Sequence, residues 1–285
     1  MLIRRLLSSG NLRVLLAWVV ILSAWEMAYR VITWEPYKFP APSHVLDSFC
    51  DLAGFRTAFG DPISAHWPKP ADGEVHPGGS IPLLSAPAIS GVRLLVGFAI
   101  SIAMGVGLGL AMWRFELANG ILGPVFLGLQ TLPSVCWVPL AVLLLGHNEK
   151  GILFVLVMGS CFAIAISLRD GLRTIPPVYQ KAGLMLGADG WKLYRYVLLP
   201  ASLPALASSL RQGFSFAWRS LMGAELILAV DWHGLGYQLE IGRSYADIKQ
   251  VVAVMAIMVM IAMLVDRLVF AVIERKVHQR FGLVG

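Results

Sequence analysis

The class of fold is decided by an apolar stretch, VRLLVGFAISIAMGVGLGLAMW, at residues 92–113. Only one of its side chains, that of Arg93, is charged. An α-helix needs about 20 mostly apolar residues to cross the ~30 Å hydrocarbon core of a bilayer. The stretch is long enough, and we expect it to be a membrane-spanning helix.

Five further segments meet or approach the same length and hydrophobicity. They are residues 12–33, 121–145, 151–168, 205–230 and 250–272. The chain has 285 residues, of which 57% are hydrophobic and 14% charged, and its mean hydropathy is +0.71. These values exclude an ordinary soluble domain. We therefore predict an all-α, polytopic α-helical membrane protein with about six transmembrane helices.

The first of these segments follows Arg4, Arg5 and Arg13, an arrangement that resembles a signal peptide. The apolar run continues to about Ile32, however, and no small-residue cleavage site follows it. A signal peptide has a shorter apolar region and such a site. We therefore expect residues 1–33 to be a tail and a retained first span.

The positive charges are unevenly distributed between the segments that connect the spans. Alternate connections hold 13 Lys and Arg residues on one side and 6 on the other. Lys and Arg are retained in cytoplasmic loops, so the side with 13, which includes both termini, is predicted to be cytoplasmic. The net charge of +6 is dispersed between apolar runs, so no nucleic-acid partner is expected.

A stripe of small residues recurs every four positions in the stretch at 92–113. Its members are Gly97, Ser101, Gly105 and Gly109. Small residues on one helix face let another helix approach closely. The stripe is equally compatible with packing inside one chain and with an interface between subunits.

Segment 121–145 contains Pro124, Pro133 and Pro139. Each proline removes a backbone donor, and such breaks survive in lipid only where protein or a water-filled cavity covers the freed carbonyls. We therefore expect this span to line a water-filled pathway, with Pro133 and Pro139 as candidate pathway residues.

The charged residues Arg219 and Glu225 lie well inside segment 205–230. Unpaired charges are costly there, so each should face a cavity or a partner, and both are candidate pathway residues. A structural role is an equal alternative: Arg219 could bond carbonyls at a helix break, and Glu225 could pair with another span or subunit. Asp266 and Arg267 are expected to reach the interface at the end of the last span, without a transport role.

The segment 34–91 is predicted to lie outside, in the periplasm. Ser43 can cap a short amphipathic helix that lies on the membrane surface. Its apolar face would consist of Val45, Leu46, Phe49, Leu52 and Phe55. Residues 56–82 are rich in Pro, Gly and His and lack apolar periodicity, which predicts an irregular insert.

Neither a metal site nor a disulfide framework is expected. His66 and His76 stand ten residues apart without a carboxylate framework. The cysteines Cys50, Cys136 and Cys161 are dispersed and have no CxxC spacing, so all three are interpreted as packing residues.

The cytoplasmic segment 169–204 is too long and too ordered to be a simple connector. Pro177 can begin a helix, because its missing donor is harmless in the first turn. Gly187 and Gly190 then interrupt the apolar pattern, which predicts two short helices with a sharp bend between them. Leu199–Pro200 and Pro204 are predicted to turn the chain back into the bilayer.

This segment resembles the EAA loop of permease subunits of bacterial ABC importers. The resemblance is carried by Lys181–Ala182–Gly183, by Gly187–Ala188, by Tyr194 and Val197, and by Leu199–Pro200 and Pro204. Lys181 stands where the family usually has Glu, and Gly183 stands where it usually has the second Ala. These departures put in doubt any ion pair between the usual Glu and the ATPase.

Further matches point to the nitrate/sulfonate/taurine type of this family. They are Phe39–Pro40–Ala41–Pro42–Ser43, Ser90–Gly91–Val92–Arg93, Gly97–Phe98, Pro133 with Pro139, Gly146, Ala224–Glu225 and Gly234–Leu235–Gly236. The resemblance implies a type I importer permease fold over 92–285 in the bacterial inner membrane. It also implies that the loop, at Lys181, Ala182, Gly183, Gly187, Ala188, Leu199 and Pro200, docks on a cytoplasmic ATPase and transmits its movement.

The implied partners are ABC ATPase subunits, a periplasmic substrate-binding protein, a second copy of the chain and membrane lipid. The sequence holds no GxxxxGK[ST] loop to cradle nucleotide phosphates. ATP is therefore expected to be used by a separate subunit, and this chain is expected to bind no cofactor and not to be an enzyme. The alternative, suggested by Arg219 and Glu225 in one span, is an ion-coupled secondary transporter.

Overall fold

The structure is a computed structural model that describes residues 10–32, 40–52, 82–228, 230 and 233–280. These residues are helical almost throughout, and none of them is in a strand, which confirms the all-α prediction. Most of the predicted insert 56–82 lies outside the described residues, as do Phe39, Phe55, His66 and His76.

The described residues form α-helices in the following chain order. They are α1 (Gly10–Ile32), α2 (Pro42–Leu52), α3 (Pro82–Arg114), α4 (Glu116–Thr131), α5 (Trp137–Leu145), α6 (Glu149–Arg173), α7 (Pro177–Met185), α8 (Gly190–Leu193), α9 (Leu199–Ile227), α10 (Leu235–Ser244), α11 (Ile248–Val265) and α12 (Ala271–Arg280). A 3₁₀ turn, Ser134–Cys136, precedes α5. Single π-helical turns, Tyr194–Leu198 and Asp266–Phe270, precede α9 and α12.

Three described helical stretches are long and apolar enough to cross a bilayer, by length and composition. They are Leu84–Arg114, Glu149–Arg173 and Ile248–Val277, and they contain the predicted spans 92–113, 151–168 and 250–272. The predicted spans 12–33 and 205–230 coincide with α1 and α9, which do not reach that threshold. A total of six spans therefore stays a prediction.

The predicted span 121–145 is interrupted, and the chain bends by 99° between α4 and α5. The bend lies at Leu132 and Pro133, which are extended, with ψ of 129° and 132°. A residue that precedes proline is disfavoured in helical conformation, and proline has no N–H to continue the helix. Pro139, by contrast, lies in the first turn of α5, where its missing donor breaks nothing. The pair makes one broken span or one re-entrant loop.

The described residues of 1–86 and Gln238–Ile257 form one compact unit. Here α2 begins at Pro42, and Ser43 donates from its N–H and its hydroxyl to Glu26 of α1, at 3.4 Å in both cases. Arg30 holds the same carboxylate at 2.9 Å. Because the helix begins one residue earlier, the prediction of Ser43 as its cap is wrong, and Ser43 instead ties α2 to α1.

The second unit comprises Pro87–Tyr237 and Met258–Gly285, with α6 at its centre. The stripe of small residues on α3 packs against α6: a Cβ added to Gly105 would lie 2.7 Å from Ile164, and one added to Gly109 would lie 2.8 Å from the carbonyl of Ala165. Ser160 of α6 donates to Ser101 at 2.8 Å. The stripe therefore serves packing within the chain.

An ion-pair cluster joins α9 to the last helices of the same unit. Arg211 donates to both carboxylate oxygens of Asp266, at 2.7 and 2.8 Å, and to Glu274 at 2.6 Å. Asp266 was expected to reach toward the interface, but it is held by α9. The prediction overlooked Arg211 because the two residues are 55 positions apart.

The cysteines differ in environment. Cys161 is buried and belongs to a core cluster with Met112, Phe126 and Phe162. Cys50 is half-buried, whereas Cys136 is exposed at the 3₁₀ turn. The interpretation of Cys136 as a packing residue is therefore wrong, because the break at Pro133 turns this short segment outward.

Candidate coupling loop and transmembrane charge sites

The predicted bend in the segment 169–204 is present. Pro176 is extended and Pro177 begins α7. After Met185, Gly187 adopts φ of +78° and Gly190 φ of +46°, conformations that are costly for residues with a Cβ. The N–H groups of Gly187 and Ala188 close the end of α7 by donating to the carbonyls of Leu184 and Gly183, at 3.0 and 2.9 Å.

Gly183, which stands where the family usually has the second Ala, has a packing role. It is the one buried residue of α7, and a Cβ there would lie 2.6 Å from Leu193 Cδ1 and 3.0 Å from Val197 Cγ2. The helix therefore lies directly against the segment that follows the bend. An alanine would require Leu193 to move, which is a small adjustment of a flexible side chain.

The outer surface of this loop is apolar and uncovered in the structure. Its most exposed apolar side chains are Val178, Tyr179, Leu184, Met185, Leu186 and Tyr196, with Met185 at 89% and Leu186 at 87% exposure. Lys181, Ala182 and Gly187 are also exposed. We call the part of this surface from Val178 to Leu186, without Tyr196, the α7 face.

The predicted turn at Leu199–Pro200 is wrong, because the chain stays helical from Gly190 through the π-helical turn into α9. Leu198 is helical, with φ −73° and ψ −42°. Pro200 lies in the first turn of α9, where its missing N–H is tolerated. The chain therefore enters α9 at Leu199 and Pro200 without a reversal of direction.

A buried charge cluster surrounds Glu225, near the end of α9. Its carboxylate is 2% exposed and accepts hydrogen bonds from Arg93 Nη1 at 2.7 Å and from the Ser90 hydroxyl at 2.7 Å. Arg93 also donates from Nε to Glu149 Oε2 at 2.8 Å and from Nη2 to Glu149 Oε1. One guanidinium thus joins α3 to the beginning of α6 and the end of α9.

The segment Gly234–Leu235–Gly236 completes the cluster with backbone N–H groups. Leu235 donates to Ser90 Oγ at 2.9 Å, and Gly236 donates to Glu225 Oε2 at 3.0 Å. A Cβ on Gly234 would lie 2.5 Å from the Glu225 carboxylate, and one on Gly236 would lie 2.8 Å from backbone atoms of α9. Both glycines are therefore required by close approach. This geometry favours the structural alternative for Glu225.

Arg219 is separate from this cluster. It is exposed, its Nε donates to the carbonyl of Ser215 at 3.0 Å, and its guanidinium lies 4.6 Å from the centre of the Phe216 ring. Within the residues that the structure describes, no carboxylate pairs with it. Pro133 and Pro139 are also exposed. A Cβ added to Gly223, one turn beyond Arg219, would lie 3.2 Å from Val135 in the 3₁₀ turn.

Sequence reasoning missed Ser90, Arg93 and Glu149 as members of the charge cluster. Arg93 carried a signal, because it is the one charge in an otherwise apolar span and an arginine there needs a partner. Glu149 carried none, since it lies in a connection where an acidic residue is ordinary.

A helical bundle with a glycine-bent, exposed loop between two of its helices is the arrangement that the resemblance implies for the membrane subunit of an ABC importer. The chain belongs to the family described as the binding-protein-dependent transport system inner membrane component, whose match covers residues 97–279. It is thus a multi-pass permease subunit, of a family whose members work with ATPase and substrate-binding partners. This assignment favours the importer subunit over the alternative of an ion-coupled secondary transporter.

Several curated relatives are ABC permeases. A putative ABC transporter permease of Methanocaldococcus jannaschii is 30% identical over 65% of this chain and 69% of its own length. The taurine transport system permease protein TauC of Escherichia coli is 25% identical over 87% and 82%. The nitrate import permease protein NrtB of Synechocystis is 24% identical over 62% and 64%.

Solved structures share the fold. An inward-facing MetNI methionine ABC transporter has a TM-score of 0.57 at 20% identity and covers 68% of this chain and 96% of its own. An amino acid ABC transporter crystallised with histidines also has a TM-score of 0.57, at 18% identity, with coverage of 68% and 93%. The type I importer permease fold is therefore confirmed.

Proposed function

We propose that this chain moves a small anionic solute, such as nitrate, a sulfonate or taurine, across the inner membrane by ATP-driven alternating access. The observation that carries the proposal is the bent loop with its uncovered α7 face in a chain of this family. The names of the taurine, nitrate and bicarbonate permeases support the substrate class.

The α7 face is the proposed contact with the ATPase. Its exposed Met185 and Leu186 can enter an apolar cleft on a partner, and the left-handed glycines make the loop a defined lever rather than a flexible connector. Lys181 lies on this face in place of the usual Glu, so its contact with the ATPase is expected to have the opposite charge. ATP is bound by that partner, and this chain carries no cofactor.

The α7 face also supports the proposed orientation of the chain in the membrane. Both termini and the loop lie in the cytoplasm, where the ATPase is, and Gly146 to Asn148 lie on the opposite side. The complex is proposed to contain two copies of this chain in lipid, two ATPase subunits and an external substrate-binding protein. The translocation pathway is proposed to run beside the break at Pro133 and Pro139 and past Arg219.

Docking and orientation can be tested on the purified complex and in vesicles. Met185→Glu should reduce recovery of the ATPase subunit with this chain, whereas Met185→Leu should preserve it, because only the first places a charge on an apolar contact. Met185→Cys should react with a membrane-impermeant thiol reagent from the cytoplasmic side and His147→Cys from the other side. Equal recovery of the ATPase with Met185→Glu, or labelling of Met185→Cys from outside, would contradict the proposal.

A further inference from the structure

One face of α9 is polar and exposed, whereas α3 and α11 expose many large apolar side chains. Its members are Ser208, Gln212, Ser215 and Arg219, all exposed. They are four, three and four positions apart, which places them on one side of a helix. The opposite side carries the buried residues, among them Phe214, Ala217 and Leu221.

The three arginines within the predicted spans 92–113 and 205–230 are not treated alike by the fold. Arg93 is held by two carboxylates, Glu149 and Glu225, and Arg211 by two others, Asp266 and Glu274. For Arg219, the described residues supply a backbone carbonyl and the Phe216 ring but no acidic side chain. Each of the first two clusters has two carboxylates for one guanidinium, whereas the positive charge of Arg219 is not neutralised by any described acidic side chain.

Within the predicted span 205–230, exposure of such a charge to hydrocarbon is costly. Arg219 lies eight residues before the end of α9, which is about 12 Å along the helix, too far for ready access to the interface. An arginine inside the membrane therefore faces water or a ligand. One turn beyond Arg219, a Cβ on Gly223 would lie 3.2 Å from Val135 in the 3₁₀ turn, and Pro133 and Cys136 at the same break are exposed as well.

We propose that this face of α9 is the anion-binding wall of the translocation pathway, which rests on the proposed importer function. Arg219 supplies the charge, and the planar guanidinium can donate two parallel hydrogen bonds to the oxygens of a carboxylate, nitrate or sulfonate group. Nε already donates to the Ser215 carbonyl, and Nη1 and Nη2 have no acidic partner among the described residues. Gln212 provides a further neutral donor along the same side.

The test uses Ser215→Cys as a reporter, with Cys50→Ser and Cys136→Ser and with the buried Cys161 retained. In membrane vesicles that contain the whole transporter, the rates of modification by a negatively and a positively charged methanethiosulfonate reagent are compared. A unit charge some 4 Å away in water alters a local ion concentration about fivefold. The ratio compared is the rate with the negatively charged reagent divided by the rate with the positively charged one. Arg219→Gln should therefore lower this ratio by about 25-fold, whereas Arg219→Lys should preserve it.

Two results would overturn the inference. If neither reagent modifies Ser215→Cys, the face is covered by protein, for example by a second copy of the chain. If both react but Arg219→Gln leaves the ratio unchanged, Arg219 does not set the potential of the wall. The assay needs neither transport nor ATP hydrolysis, so its outcome is independent of an uptake assay. Uptake that fails to depend on ATP, with the ratio shifted as expected, would refute the importer function and not the anion-binding wall.

Discussion

Arg93 Nη1 lies 2.7 Å from Glu225 Oε1, and both side chains are almost completely buried, at 6% and 1% exposure. Glu149, which binds the other edge of the same guanidinium, is 41% exposed. Loss of Arg93 and loss of Glu149 should therefore have different consequences. Without Arg93, Glu225 becomes a buried charge without a cation, whereas without Glu149 the Arg93–Glu225 pair persists.

Arg93→Gln should consequently be far more damaging than Glu149→Gln. Breaking a buried ion pair costs about 3–5 kcal/mol, while a partly exposed pair contributes about 1 kcal/mol or less. The thermal transition of the detergent-solubilised protein, followed by size-exclusion chromatography after heating, measures both. Equal losses in the two variants would mean that Glu225 is not held by Arg93 in the membrane.

Gly236→Ala should destabilise more than Gly234→Ala. The Cβ of the first would meet backbone atoms of α9, which cannot move alone, whereas that of the second would meet the Glu225 carboxylate. Overpacking of this kind costs about 1–3 kcal/mol. Gly107→Ala is the control, since a Cβ there has nothing within 4 Å. The same thermal assay orders the three, and a Gly236→Ala protein as stable as the control would refute the close approach.

Gly187→Ala should weaken coupling while leaving the protein abundant in the membrane. With φ of +78°, alanine costs about 1–2 kcal/mol in this local conformation, but no neighbouring atom lies within 4 Å. Asparagine tolerates the left-handed conformation better, so Gly187→Asn should retain more activity than Gly187→Ala. Substrate-stimulated ATP hydrolysis by the complex measures the difference. Full stimulation of ATP hydrolysis in the Gly187→Ala complex would show that coupling does not depend on the bend.

Arg211→Gln should lower stability more than Asp266→Asn. The first change leaves two acidic side chains side by side, and the second leaves the 2.6 Å bond from Arg211 to Glu274. All three groups are 27–40% exposed, so the loss should be about 1 kcal/mol. Arg275→Gln removes an exposed charge from the same region and serves as the control. Identical thermal transitions for Arg211→Gln and the control would show that the cluster does not tie α9 to the last helices.

Local features of the sequence predicted the local features of the structure. Hydrophobic length located α3, α6 and α11, and Gly187 with Gly190 located the bend, because a left-handed turn after an amphipathic stretch strongly favours glycine. The same reasoning failed at two prolines. Pro139 was expected to interrupt its span but lies in the first turn of α5 without breaking it, and Pro200 permits a helix where a turn was predicted. The position of a proline within a helical turn decides its effect, and composition does not reveal that position.

Contacts between distant segments could not be predicted. Glu225 is 132 positions from Arg93 along the chain, and nothing in either local sequence identifies the other. The cost of an intramembrane charge predicted that Glu225 needs a partner, and only the packing of α3, α6 and α9 identified it. For Arg219 the same rule applied, and the fold supplied no acidic partner among the described residues.

ATP-dependent uptake measures the central claim most directly. The complex of this chain, its ATPase and its substrate-binding protein is reconstituted in proteoliposomes, with ATP enclosed on the side of the ATPase and labelled nitrate or taurine supplied on the other. We expect uptake that requires hydrolysable ATP and the substrate-binding protein and that persists when the proton gradient is collapsed. Uptake driven by an ion gradient in the absence of ATP would contradict the account.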